Sequence, residues 1–381
     1  MNNDINILFA GDLMLGGEYI PYAEKKRYEL LHPFRLIENH FSDTDIALIN
    51  LEGPLFEGSE KRLNVTSLLS NHPGILNFLK SKSLCVLNLA NNHITDYGSE
   101  GLERTTDLLK EQGIYFVGVG KNEIEANREL IIEVKGKKIA FLAYTTNEPH
   151  VGSVLAGPNT PGCASLSNWE GIVEKISDMK KTVDIVCLSL HWGYEYFSYP
   201  SPDQIKIAHA FADAGATYII GHHPHIVQGL ETYNDSLIIY SLGNFFLPPV
   251  RATSGRLQPR KEISKEFLVL KSSSNGKDKL DYRIIGGRVD EDYRMLPFND
   301  DAQKKFMQKI LELSKPLCSE RYDDFWEKYY EKRSQELNKE SFMEAINKAR
   351  AMPLSELIHT VSLGDIKRNL RRFYNAVTKQ G

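Results

Sequence analysis

INILFAGD (5–12), IALINLE (46–52) and VLNLANNH (86–93) decide how this chain folds. Each is a short apolar run that stops abruptly at polar, metal-capable side chains: Asp12, then Asn50 and Glu52, then Asn91, Asn92 and His93. The pattern recurs downstream. CLSLHWGYE (187–195) ends in His191 and Glu195, YIIGHHPH (218–225) in His222, His223 and His225, and IIYSLGN (238–244) in Asn244. Runs that are apolar along their whole length read as strands buried on both faces, and alternation with helices predicts a mainly parallel sheet. Helical spacing is found over 99–112, 168–181 and 203–214, and IYFVGVG (114–120), KIAFLAY (138–144) and LIIYSL (237–242) complete the strand set. The class is therefore α/β. Ligands of such sheets bind just beyond the strand carboxyl ends, so the recurring polar strand ends point to one site.

Working outward, β-like segments at 267–271 and 280–289 flank the turn SSSNGKD (272–278), a hairpin-type connection. From about 298 the character changes, and 300–314, 320–337 and 339–351 are Lys-, Glu- and Gln-rich with helical spacing. The expected division is a domain over 1–297 and a helical appendage over 298–381. Two irregular stretches, 145–165 and 245–261, are long enough to be functional loops.

With 381 residues, 41% hydrophobic and 25% charged, the chain can build a core without disulfides or structural metals. A net charge of −4 gives no general attraction to nucleic acid or anionic lipid, so neither is expected as a partner. The cysteines are scattered, with no C-x-x-C pair. NNDIN after Met1 offers no basic n-region, and no stretch approaches the roughly 20 apolar residues of a membrane span. These features predict a cytoplasmic protein with no membrane span.

Carboxylate oxygen, Asn carbonyl and imidazole nitrogen suit divalent Mn²⁺, Fe²⁺ or Zn²⁺, and the absence of Cys among them argues against a structural zinc site. A shared carboxylate could bridge two such ions about 3.5–4 Å apart and lower the pKa of bound water toward about 7. His93 is placed to protonate a leaving oxygen, with Asp96 a turn later to orient it. Arg251, Arg256 and Arg260, in the 245–261 loop, and Asn244 are candidates to hold an anionic substrate group. The bland alternatives are plain: a single Asn or Glu after a strand is usually a turn residue, and these arginines can simply be solvated.

FAGDLMLGG (9–17), LINLEGPL (48–55), ANNHITDYG (90–98), HWGYEY (191–196), GHHPHIVQ (221–228) and SLGNF (241–245) together resemble the CapA-type (poly-γ-glutamate capsule biosynthesis) branch of the calcineurin-like metallophosphoesterases, over roughly 5–250. The resemblance implies a four-layer α/β/β/α sandwich. It also implies metal ligands at Asp12, Glu52, Asn92, His191, His223 and His225, with His93 as general acid. In that reading His191, Asn92 and the His223/His225 pair form one position sharing Glu52, and Asp12 anchors a second. Met14 stands where the wider superfamily has a ligating His, and Glu52 replaces its bridging Asp. The second position is thus short of a ligand, to be completed by Glu195 or water or left empty, so one or two ions are expected. The implied activity is a hydrolase acting on a phosphoester or phosphoanhydride of an anionic small molecule or polymer precursor. A capsule or polyglutamate biosynthesis factor working on amide or acyl-phosphate chemistry, and a non-catalytic scaffold, are the alternatives.

Overall fold

The computed structural model describes residues 4–56, 61–62, 65–80, 83–148, 150–274, 276 and 280–351. The chain divides into two compact units between Ser319 and Glu320. Composition places that boundary at 297/298 instead. The difference is the helix Asp300–Ser314, which belongs to the first unit because Phe306 and Ile310 on its face are buried, Phe306 against Gly286 of the strand Asp281–Val289. In the second unit, Tyr322–Ala351 is one continuous helix where two stretches were expected. The rest of the predicted appendage lies outside the described residues.

The first unit contains two large sheets where strand patterning alone predicts one. In the first, Ile5–Leu13, Ile46–Leu51, Leu84–Asn88 and Tyr115–Val117 run parallel and adjacent. Antiparallel strands Glu266–Ser274, Asp281–Val289 and Met295–Pro297 extend it from the other side of Ile5–Leu13. In the second, Lys137–Thr145, Ile185–His191, Tyr218–His222 and Ser236–Ile239 are parallel, flanked by antiparallel Leu130–Val134 and Leu230–Tyr233. The sheets share a core, in which the Phe9 and Tyr218 rings lie 4.9 Å apart and Tyr218 Oη is 2.8 Å from Ser272 Oγ. Helices cover the outer faces. Gly98–Glu111 buries Leu102 and Leu109 beside the first sheet, and Trp169–Lys180 and Pro202–Asp213 bury Ile176 and Phe211 beside the second. This is the four-layer α/β/β/α order that the family resemblance implies. A strand covered by a helix on one face and a sheet on the other has the same apolar pattern as one covered by two helices, which hid the second sheet.

Local chemistry explains the remaining departures. Gly118, with φ of +90°, splits the expected 114–120 strand, so Tyr115–Val117 stays in the first sheet and Val119–Gly120 pairs with Gly162–Cys163. The predicted strand 237–242 ends at Ile239, and the chain then crosses to the first sheet, where Asn244–Phe246 pairs parallel with the end of Ile5–Leu13. That crossing needs two glycines. A Cβ on Gly11 would lie 1.9 Å from the Gly243 carbonyl, which accepts the Asp12 amide at 3.0 Å, and Gly243 itself has φ of +69°. The expected 272–278 turn is partly strand, which runs to Ser274, and 275 and 277–279 lie outside the described residues.

Candidate metal centre

Parallel register carries the polar strand ends to one edge. Asp12 sits opposite Asn50 and Asn244, Asn50 opposite Asn88, and in the second sheet His222 opposite His191. Asp12, Glu52, His191 and His223 are wholly buried, and Asn92 and His225 nearly so.

The ligand atoms fall into two groups. In one, carboxylate and imidazole atoms of Asp12, Glu52 and His225 all lie within 4.8 Å of one another. His225 Nε2 is 3.8 Å from Glu52 Oε1, and His225 Nδ1 is 3.2 Å from Asp12 Oδ2. In the other, His191 Nε2 lies 2.9 Å from Asn92 Oδ1 and 3.1 Å from His223 Nδ1. The expected pairing of His223 with His225 at one position is thereby corrected. His225 joins Asp12 and supplies the nitrogen that Met14 does not. The cause is backbone geometry: His223 and His225 both have positive φ, 94° and 59°, so the rings diverge on either side of Pro224. Such conformations are costly for residues with a Cβ and persist where the surroundings enforce them. Met14 is buried instead in a small apolar cluster with Leu69, Leu247 and Val250.

Glu52 tests whether this cage suits a cation. Neither carboxylate oxygen has a hydrogen-bond partner among the described residues, although the side chain is wholly buried. A buried carboxylate in that condition is strongly disfavoured unless a cation faces it. The residues at Asp12–Glu52–His225 therefore fit a divalent ion, and Asn92, His191 and His223 gather a second set of neutral oxygen and nitrogen donors.

The electrostatics agree. Burial pushes the Glu52 carboxyl up to about 7, and Asp12 adds to this while His225 opposes it. Asp12 is held well below the carboxylate range despite burial, because His222 and His225 face it. Burial lowers His223 to about 4 and holds His191 well below the usual imidazole range, leaving both neutral and ready to donate a lone pair. His225 is raised to about 9, burial being outweighed by Glu52 and Asp12, so its proton stands where a cation belongs.

Around the ligands runs a set of orienting contacts. Asn50 Nδ2 donates to Asp12 Oδ1 at 2.8 Å, Asn91 Nδ2 donates to Asn50 Oδ1 at 3.3 Å, and Asn91 Oδ1 accepts the His93 amide at 3.2 Å. Asn71 Nδ2 donates to the Glu52 and Gly53 carbonyls, both at 3.0 Å. His222 Nδ1 lies 3.4 Å from Asp12 Oδ1, which places this residue behind the ligands. His93 Nδ1 is 2.7 Å from Asp96 Oδ2, its Nε2 is 3.9 Å from Glu52 Oε1, and its side chain is 17% exposed. Despite burial, Asp96 raises the His93 pKa. Asp96 thus holds His93 with its Nε2 toward Glu52 and part of its side chain open to solvent.

The substrate-binding candidates are placed differently. Asn244 is buried behind His225, whose Nδ1 is 3.0 Å from Asn244 Oδ1, and its Nδ2 donates to the Ser264 carbonyl at 3.0 Å. Arg251 is exposed and paired with Glu18 at 2.8 Å, and Arg256 is exposed. Glu195 is exposed, and its carboxyl is held below the ordinary range: partial desolvation of the group opposes this, and His225, His223, His93 and Arg260 outweigh it. Arg62 carries no sequence signal, yet its Nη1 donates to the Asn92 carbonyl at 2.7 Å and its amide donates to the Asp96 carbonyl at 2.8 Å. It ties down the loop bearing His93. Its neighbours in sequence follow no period or motif that could have singled it out.

Fold and site together define a two-sheet α/β protein with a buried strand-end cluster of carboxylate, amide and imidazole groups of a kind that could hold a metal ion. The chain belongs to the bacterial capsule synthesis protein family, PGA_cap, whose profile matches residues 6–248. Capsule biosynthesis protein CapA of Bacillus anthracis is 34% identical over 251 residues, covering 64% of this chain and 60% of that protein. PGA biosynthesis protein CapA of Bacillus subtilis (strain 168) is 35% identical over 239 residues, 62% of each chain. The chain thus spans about three fifths of the length of these curated relatives. Among solved structures, a novel phosphatase from Mycoplasma pneumoniae aligns with a TM-score of 0.46 at 15% identity, covering 81% of this chain and 100% of that one. NAD nucleotidase of Haemophilus influenzae aligns at 0.40 and 13%, covering 87% and 68%. Among the described residues no helix is long and apolar enough to cross a membrane.

Proposed function

We propose that this protein is a metal-dependent hydrolase acting on a phosphoester or phosphoanhydride. The observation that carries the reading is the fully buried Glu52 carboxylate, grouped with Asp12 and His225 and without a hydrogen-bond partner among the described residues, with His93 Nε2 3.9 Å from it. Bound at these positions, divalent ions supply Lewis-acid polarisation of a phosphoryl oxygen and acidify a water molecule. The chain's own residues do the rest. Asp12 and Glu52 bring the negative charge that retains the ions, and Asn50, Asn71 and Asn244 hold the ligand-bearing segments. Asp96 orients His93, which delivers its Nε2 proton to the departing oxygen. The cage takes Mn²⁺, Fe²⁺ or Zn²⁺ by its oxygen and nitrogen donors, and Mn²⁺ is the first ion to try. Turnover of p-nitrophenyl phosphate and its bis-ester, with each metal added to stripped protein, tests the reading. Asp12→Ala and His191→Ala should abolish metal-dependent turnover in folded protein, and full activity without metal sinks the idea.

Family membership favours a second reading, in which the same cage serves capsule or polyglutamate biosynthesis through an amide or acyl-phosphate bond. Hydrolysis of glutamyl amides with no action on phosphoesters would select it. The buried free thiols of Cys85, Cys163 and Cys187 support a cytoplasmic setting, which fractionation of the native host tests.

A further inference from the structure

Arg260 lies in the irregular stretch that follows Asn244. Its Nε donates to the Leu247 and Pro248 carbonyls at 3.2 and 3.1 Å, so the backbone leaving the strand Asn244–Phe246 grips one edge of the guanidinium. Its charge also acts on the Tyr196 hydroxyl and on both Glu52 and Glu195. Tyr196 is itself built into the site. Its amide donates to the Pro224 carbonyl at 2.8 Å, its ring centroid is 6.1 Å from that of His225, and its φ is +62°. Lys261 Nζ stands 4.6 Å over the same ring.

This arrangement is unusual in one respect. Arg260 is partly buried beside carboxylates, yet it makes no ion pair among the described residues. A guanidinium fixed through Nε keeps its terminal Nη donors for another acceptor, and its planar fork matches the oxygens of a phosphoryl group. The Tyr196 hydroxyl, close enough to feel the guanidinium charge, is placed to set the direction of that fork.

We propose that Arg260, positioned by Tyr196, binds the non-bridging oxygens of the phosphoryl group presented to the metal centre. The proposal rests on the phosphoester reading of the site and names the residue that recognises the substrate's charge. It displaces Arg251 and Arg256 from that role. Arg260 is the substrate-binding residue here, and Tyr196 is a positioning residue.

Inorganic phosphate is the probe. Its binding to Mn²⁺-loaded protein is measured by titration calorimetry, with metal content determined on the same samples. Arg260→Gln should weaken phosphate binding about 10- to 100-fold, the worth of one charge-assisted contact, without loss of metal. Arg260→Lys should recover part of the affinity, because a point charge remains without the fork. Tyr196→Phe should raise KM for p-nitrophenyl phosphate a few-fold and leave kcat in place, about the worth of one neutral hydrogen bond. Wild-type phosphate affinity in either Arg260 variant at full metal content overturns the proposal. Wild-type protein that carries full metal but neither binds phosphate nor cleaves a phosphoester overturns the functional reading as well. The two failures are therefore distinguishable.

Discussion

His93 Nδ1 lies 2.7 Å from Asp96 Oδ2, and Asp96 Oδ2 also accepts the Leu69 amide at 2.8 Å, so the carboxylate that steers the ring is itself anchored. The contact fixes which ring nitrogen faces the cage. Asp96→Asn should therefore lower kcat about 10- to 100-fold, the usual cost of losing an orienting partner. His93→Ala should cost about 10²- to 10⁴-fold. Elemental analysis should show unchanged metal in both. An Asp96→Asn enzyme with wild-type kcat would remove the dyad from the mechanism.

The separation of His223 from His225 is visible in stoichiometry. His225→Ala should empty the position shared with Asp12 and Glu52, and His223→Ala the position shared with Asn92 and His191. Each variant should retain close to half the metal of wild type when both positions are loaded. Complete loss in one and none in the other would show that the geometric division is not a division of binding.

Metal removal should be felt by the fold. Glu52 and Asp12 lie fully buried at the junction of the sheets, and any ligand that binds only the folded form stabilises it by about 2.7 kcal/mol at 100-fold excess over Kd. For a domain of this size that corresponds to several degrees in Tm. Chelation should lower the Tm of wild type by that amount and leave Glu52→Ala unmoved. A Tm indifferent to chelation in wild type would contradict the cage.

Gly11 and Gly113 provide a matched pair for the sheet crossing. Gly113 has φ of +67° with nothing within 4 Å of an added Cβ, so Gly113→Ala should cost only the left-handed backbone strain, about 1–2 kcal/mol. Gly11→Ala drives a methyl to 1.9 Å from the Gly243 carbonyl and should exceed about 4 kcal/mol, or prevent folding. Thermal melts of the two variants settle the ranking. Equal effects would mean that the close approach of Gly11 to Gly243 is not what holds the crossing.

Arg251 is a control. Its pair with Glu18 is solvent-exposed on the Arg251 side, 58%, and such pairs contribute about 0.2–1 kcal/mol. Arg251→Ala should leave KM for p-nitrophenyl phosphate within about twofold and Tm nearly unchanged. A large rise in KM would return Arg251 to the substrate site.

How far the sequence could be read follows from what each signal encodes. Asp12, Glu52, Asn92 and His191 were legible because an apolar run ending in a polar residue marks a strand's carboxyl end, and register then does the assembling. The split between His223 and His225 was hidden, because it depends on two φ angles that no residue type requires. The second sheet was hidden by burial itself, since Phe9 looks the same whether a helix or Tyr218 covers it. Asn71 was invisible for another reason: it acts through contacts made across a fold, with no local pattern to betray it.

The crossing from one sheet to the other has a consequence for how the molecule responds to change. Leu242 donates its amide to Gly221 of the second sheet, and the very next residue, Gly243, accepts the Asp12 amide of the first. Two consecutive residues thus rivet the sheets together directly beneath the candidate metal centre. Sliding or spreading of the sheets must move Asp12 relative to His222, His223 and His225. Core substitutions far from the edge, at Phe9 or Tyr218, should then be read out as altered metal affinity, so that ion binding would gauge the alignment of the two sheets.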